Sequence, residues 1–123
     1  MIKTFIKVRT QFEGFHHYPK AGEIDPRIQF LENNHRHIFK VEVKIGVTHL
    51  DRELEFFLVK WEIENFIQSG NQNHKSCEMI ALDIVEFVQH KFGDRYCEVV
   101  VSEDGESDGI VEYTPNSCKC GGN

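Results

Sequence analysis

The sequence predicts an α+β domain, a four-stranded antiparallel sheet with two helices on one face, in the order β-β-α-α-β-β. Three observations predict it. Two long stretches in the first half of the chain alternate apolar and polar residues with period two. The middle carries two stretches whose apolar residues recur at helical spacing. Two short apolar runs near the C-terminus flank an acidic, glycine-bearing turn.

The first strand runs from Ile2 to His16. Ile2, Thr4, Ile6, Val8, Thr10, Phe12, Gly14 and His16 share one face, and Lys7, Arg9, Gln11 and Glu13 the other. From Tyr18 to Asn34 the alternation stops, and Pro19, Gly22 and Pro26 mark a loop with a short turn of helix. The second strand begins at His35 and places His35, His37, Phe39, Val41, Val43, Ile45 and Val47 on its inner face. Thr48 to Arg52 reads as a turn and Glu53 to Phe57 as a short extended piece. A helix follows with Leu58, Trp61, Phe66 and Ile67 inward, ended by Ser69-Gly70-Asn71. Ser76 is a good N-cap for the next helix. There Ile80, Ile84, Val88 and Phe92 form one face with Ala81 and Val85 beside them, and Gly93 sits just past the end. Tyr96 to Ser102 is a buried strand, the acidic segment after it a tight loop, and Ile110 to Tyr113 the last strand.

The 123 residues make one domain, over 1–115, followed by a Cys- and Gly-rich tail, 116–123, expected to be flexible. Cys118 and Cys120 in that tail either bind metal, react, or do neither. A formal net charge of −6 argues against a nucleic-acid partner. No apolar run is long enough to span a membrane, and the alternating N-terminus lacks the continuous apolar core of a signal peptide. These features predict a cytoplasmic protein with reduced cysteines and no membrane partner. Ten phenylalanines in so short a chain suggest that part of the apolar surface is covered by further subunits.

The histidines carry the chemistry. Alternation puts His35 and His37 on the same side of the second strand, and His16 ends the first strand on the corresponding face. If the two strands pair, the three imidazoles converge at one end of the sheet. Three neutral imidazoles with one open position are the usual catalytic zinc arrangement. The alternative is that H-x-H is merely a pair of strand histidines. His17 points the other way, as a surface or outer residue, and His49, His74 and His90 lie in loop or helix-end settings.

Four segments in order, F-E-G-F-H (Phe12 to His16), H-R-H-I-F-K-V-E-V (His35 to Val43), S-C-E (Ser76 to Glu78) and V-S-E (Val101 to Glu103), resemble the signatures of a known family. It is the 6-pyruvoyltetrahydropterin synthase and 6-carboxytetrahydropterin synthase family, whose motifs are F-x-A-x-H, H-G-H-x-(Y/F)-x-(V/L), P-T-(S/A)-E and a late x-E-T. The resemblance covers the chain from about Thr4 to Tyr113. It implies the tunnelling fold, with sheets joined into a barrel by a homo-oligomer, a hexamer being favoured, and the site between subunits. It also implies zinc on His16, His35 and His37, and a pterin anchored by Glu103, whose carboxylate accepts two parallel N–H groups. Glu78 falls within the third motif as a further substrate-binding candidate, and Glu55-Phe56 stands where the family has Asp-Phe before its first long helix.

The chain departs from the family in ways that matter to mechanism. The family's catalytic cysteine lies four residues before the first histidine of H-G-H, where this chain has Leu31. Glu32 instead gives E-x-x-H-R-H, similar to a subgroup whose glutamate replaces the cysteine as base in cleaving dihydroneopterin triphosphate toward 6-hydroxymethyl-dihydropterin. Arg36 replaces the glycine of H-G-H, with its side chain expected to point away from the metal. The family's Asp-His pair has no counterpart. His74 is the nearest substitute, and Cys77 is either a nucleophile or a packing residue.

On this resemblance the substrate is dihydroneopterin triphosphate, in folate, biopterin or 7-deazaguanine (queuosine-type) biosynthesis. Zinc would bind the side-chain hydroxyls and stabilise the oxyanion of a retro-aldol or elimination step. Glu32, ordinarily titrating near about 4.3, would need a partly desolvated setting to act as base. Lys20, Arg27, Arg36 and Lys75 are the cations available to the triphosphate. Two other functions stay open: a diverged member that keeps zinc and the pocket but binds or processes another heterocycle, and an interaction domain with a coincidental H-x-H.

Overall fold

The computed structural model describes residues 1–116. Strands β1 (Thr4–His16) and β2 (His35–Val47) are joined by a loop holding a single helical turn, α1 (Ala21–Ile24), and a 3-10 turn over Pro26–Glu32. Helices α2 (Phe56–Ser69) and α3 (Cys77–Phe92) follow, then β3 (Cys97–Glu103) and β4 (Ser107–Tyr113). The sheet runs β1-β2-β3-β4 in sequence order, with every neighbouring pair antiparallel. Cys118 and Cys120 lie outside the described residues.

Period two in the sequence becomes two faces in the sheet. The row of Val8, Phe39, Val41, Val43, Ile45, Val99 and Val101 is buried against α2 and α3, whereas Lys7, Arg9, Gln11 and Lys40 are exposed. Ile2 falls outside β1 and is exposed. From α3 the core receives Ile80, Ala81, Ile84, Val85 and Val88 as expected, with Phe92 packed at its margin. The Ser76 hydroxyl accepts the Met79 N–H at 3.1 Å, which fixes the start of α3. Gly93 ends it at φ +98°, a conformation that favours glycine.

Helix α2 differs from the sequence reading. The Glu55 carboxylate caps it by accepting the Leu58 N–H at 3.1 Å, so Phe56 and Phe57 are helical rather than extended. That cap sets a phase in which Val59, Ile63 and Ile67 face the core, while Leu58 and Trp61 are more than half exposed. Apolar residues stand on both sides of this helix, so spacing alone selected the wrong stripe for those two. Phe66 is inward, as its spacing predicts, and stacks on Phe87 of α3 at 4.5 Å.

The acidic segment is also tighter than expected. Glu103 closes β3, the turn is only residues 104–106, and β4 starts at Ser107 rather than Ile110. Asp104 (φ +56°) and Gly105 (φ +77°) make the reversal.

Candidate metal centre and the adjoining cavity

At one end of the sheet every inner row changes from apolar to polar. On β1 the row runs Val8, Thr10, Phe12, Gly14, His16, on β2 it runs Val41, Phe39, His37, His35, and on β3 Val99, Val101, Glu103. The register aligns these changes: His16 pairs with His35, Gly14 with His37, and Phe39 with both Phe12 and Glu103. Strand pairing therefore brings together what the sequence holds 21 residues apart. A Cβ on Gly14 would sit 3.0 Å from the Phe39 ring, so glycine lets Phe39 lie beneath the imidazoles, 5.4 Å from His16 and 5.8 Å from His37.

The three rings stand nearly perpendicular to one another, with centroids 4.6, 4.7 and 4.8 Å apart. One ligand atom from each lies within 4.8 Å of the others. Each Nδ1 meets an acceptor: the Lys75 carbonyl for His16 at 3.4 Å, the Asn33 carbonyl for His35 at 2.8 Å and the Asp104 carboxylate for His37 at 2.6 Å. These acceptors hold the N–H on Nδ1 and leave the Nε2 lone pairs free. Among the described residues, Nε2 of His35 and of His37 is buried without a partner. Nε2 of His16 lies 3.1 Å from Glu103 Oε2. A lone pair facing a carboxylate oxygen requires a cation between them, either a proton or a metal. Burial, with the neighbouring His35 and His37 acting the same way, holds the His16 pKa below its ordinary value despite the Lys75 carbonyl and Glu103. A neutral imidazole is the form that binds metal, so the residues fit a metal ion. Imidazole nitrogen suits zinc.

Asp104 is the support that the sequence did not reveal. Its backbone N–H donates to the Ile38 carbonyl at 2.8 Å, and its carboxylate accepts the Ile38 N–H at 2.9 Å as well as His37 Nδ1–H. These donors, His37 first, hold its pKa below the ordinary value. A carboxylate behind a ligating histidine raises ligand basicity and fixes the ring. The Asp-Gly turn signal was present, but nothing in it located β2.

Beside the triad opens a cavity of about 600 Å³, the size of a small-molecule site. His16, His35, His74, Cys77, Glu78 and Glu103 are all on its wall. So are His17, read from sequence as pointing away, and Leu31, at the position of the family's cysteine. The His17 ring meets the His74 ring edge-on at 4.3 Å, and His17 Nδ1 lies 3.1 Å from Asn34 Oδ1. His74 holds a positive φ of +70°.

Other sequence candidates lie elsewhere. Glu32 is not on the cavity wall, and its carboxylate accepts the Gly22 N–H of α1 at 2.8 Å. Arg36 projects from the opposite, exposed face and pairs with Glu13 at 2.5 Å, as its position in the alternation predicted. Lys20 is exposed ahead of α1, and Arg27 is paired with Asp25. Cys77 is buried, and burial together with Glu103, Glu78 and Asp108 pushes its thiol to about 12. Such a thiol stays protonated at neutral pH, so this setting supports the packing reading over the nucleophile. β4 is pressed against it: a Cβ on Gly109 would lie 2.8 Å from both Cys77 Cβ and the Glu78 nitrogen.

The backbone is similar to a solved structure of Plasmodium falciparum 6-pyruvoyl tetrahydropterin synthase, with a TM-score of 0.64 at 15% identity, over 91% of this chain and 98% of that one. That likeness is one of fold, and the chain has the tunnelling fold that its motifs implied. No family model and no curated protein matches the sequence. Among the described residues no helix is long and apolar enough to cross a membrane.

Proposed function

We propose that the chain is a zinc-dependent lyase or synthase acting on a pterin or closely related heterocycle. The observation that carries this reading is the set of three imidazoles, each with Nδ1 taken by an acceptor, with His16 and His35 on the cavity wall and the ligand atoms of all three within 4.8 Å of one another. Zinc held by His16, His35 and His37 would supply a Lewis acid that lowers the pKa of a substrate hydroxyl. Glu103 accepts the two parallel N–H groups of the ring's guanidine-like edge, with Glu78 as a further acceptor. His74 moves the proton, imidazole being the commonest group for that task. It replaces Glu32, which in this reading steadies α1 through Gly22. His17 orients His74.

A second reading, a diverged relative that processes or only binds another heterocycle, is favoured by Leu31 on the cavity wall where the family has its cysteine. In either reading the working form is a cytoplasmic homo-oligomer, a hexamer being favoured, in which the outer edges of β1 and β4 continue into neighbouring sheets to form the barrel. Native mass spectrometry measures that state.

The deciding experiment measures zinc content, then incubates the zinc-loaded protein with dihydroneopterin and its triphosphate and identifies products by mass spectrometry. A 6-hydroxymethyl or 6-carboxy product, lost in His35→Ala and His74→Ala but kept in Glu32→Ala, supports the lyase with His74 as proton carrier. Loss in Glu32→Ala with activity kept in His74→Ala returns the base to Glu32. Pterin bound without turnover selects the second reading. Absence of zinc selects an interaction domain.

A further inference from the structure

The three imidazoles are supported from different distances along the chain. His35 meets the Asn33 carbonyl two residues away, and His37 meets Asp104 on the turn after β3. His16 depends on the helical layer. Its Nδ1 lies 3.4 Å from the Lys75 carbonyl, 59 residues on, in the connection between α2 and α3. That contact is one of three. The Phe15 N–H donates to Asn73 Oδ1 at 3.3 Å, and the His17 ring meets the His74 ring edge-on at 4.3 Å. Phe15, His16 and His17, at the end of β1, therefore each touch one of Asn73, Lys75 and His74. β1 is an edge strand, so alternate backbone groups face away from β2. Asn73 supplies the acceptor for one of them.

The connection is itself held in shape. The Asn73 N–H donates to Asn71 Oδ1 at 3.0 Å, and the Lys75 N–H to the Gln72 carbonyl at 3.4 Å. His74 holds φ +70°, a conformation that a residue other than glycine keeps only where its surroundings fix it. Lys75, a sequence candidate for a phosphate tail, has its Nζ 2.7 Å from the Asp83 carboxylate of α3, and Ser76 caps that helix. The Lys75 carbonyl is thus anchored to α3 through its own side chain and to β1 through Asn73.

Resting on the reading that the triad holds zinc, we propose that Asn73, Lys75 and Asp83 are positioning residues for the metal centre: they hold the Lys75 carbonyl on His16, and the same contacts keep His74 on the cavity wall. Asn73 and Asp83 lie off that wall, and each acts through another residue. Couplings between binding and conformation are reciprocal. Whatever fixes this connection tightens metal binding, and metal on the triad fixes the connection. One loop therefore ties the metal ligand His16 to the proton carrier His74.

The test pairs a competitive zinc titration with amide hydrogen exchange on the full chain, with and without zinc. Zinc should slow exchange in peptides spanning residues 70–76 more than in the turn at 48–53, at the other end of the sheet. Asn73→Ala removes the acceptor of the Phe15 N–H. It should weaken zinc binding by about tenfold, the low end for loss of an outer partner, and reduce that protection. Asn73→Asp keeps an acceptor oxygen and should restore both. Asp83→Asn, which weakens the hold on an incompletely buried lysine, should cost about threefold. Unchanged zinc affinity in Asn73→Ala, or zinc bound by the parent with no added protection of residues 70–76, overturns this inference alone. A parent chain that binds no zinc overturns the zinc reading and this inference with it.

Discussion

The two ends of this sheet hold hollows of nearly equal volume, about 600 and 640 Å³, and opposite chemistry. At the far end, Glu53 and Arg95 tie the domain together. Glu53 Oε1 accepts the Thr48 N–H at 2.6 Å, the Thr48 hydroxyl at 2.7 Å and the His49 N–H at 3.2 Å, and its Oε2 takes Arg95 Nη1 at 2.7 Å. Arg95 also donates to the Gly46 and Phe92 carbonyls, and Gln89 satisfies its backbone N–H. At the histidine end, Nε2 of His35 and His37 are buried and unmet, and His16 faces a carboxylate. Burying a polar atom without a partner costs about 1–3 kcal/mol. A buried atom left unmet calls for an explanation, and a bound ion is one. Volume does not separate the two hollows, whereas unmet hydrogen-bonding capacity does.

The sharpest way to break this comparison is to remove a ligand. His37→Ala should abolish zinc retention, from about one ion per chain to near none by elemental analysis. Binding to the native state stabilises by mass action, so chelation should lower the melting temperature of the parent chain and leave that of His37→Ala unmoved. A parent chain indifferent to zinc and chelator would mean that the imidazoles hold no metal.

Asp104→Asn comes next in size. The amide oxygen can still accept from Ile38, but the charge behind His37 is lost. Removal of such an outer partner typically weakens metal affinity by about 10–100-fold. A competitive zinc titration reads this directly, and an unchanged affinity would reduce Asp104 to a turn residue.

Gly109→Val probes the seam between β4 and α3 beside the histidine-end cavity. Its β-carbon would collide with Cys77 and with the start of α3, which carries Glu78 into the cavity. Overpacking of this kind costs about 1–3 kcal/mol. Denaturant unfolding should show that loss, and a wild-type midpoint would mean that β4 and α3 are less tightly pressed than 2.8 Å implies.

How much of this was legible follows from what kind of pattern carries each part. Strand alternation is local, so β1, β2 and the inward placement of His16, His35 and His37 could be read directly. The phase of α2 could not, because Phe57, Leu58 and Trp61 are apolar as well, on the side away from Val59 and Ile63. The support of His37 by Asp104 spans 67 residues and depends on β3 pairing with β2, which no short window contains. His17 reached the cavity because β1 ends at His16, so alternation no longer governs the next side chain. Glu32 fitted a motif in sequence, yet its carboxylate caps a backbone N–H.

The smallest effect expected is at the far end, and its sign distinguishes the two ends. Backbone and hydroxyl donors from Thr48, then Arg95, hold Glu53 at about 2 against an ordinary 4.5. Its folded value is depressed, so the fold favours the ionised form. That contribution is complete above about pH 4.5 and is lost as the pH falls toward 2. Glu53→Gln should therefore be less stable than the parent at pH 7, with the difference shrinking between pH 4.5 and 2, while zinc affinity at neutral pH stays the same. Chemical denaturation across that range, paired with one zinc titration at pH 7, measures both. A loss of zinc affinity in Glu53→Gln would mean that the two ends of the sheet are coupled, and that the satisfied network supports the unsatisfied one across the length of β2.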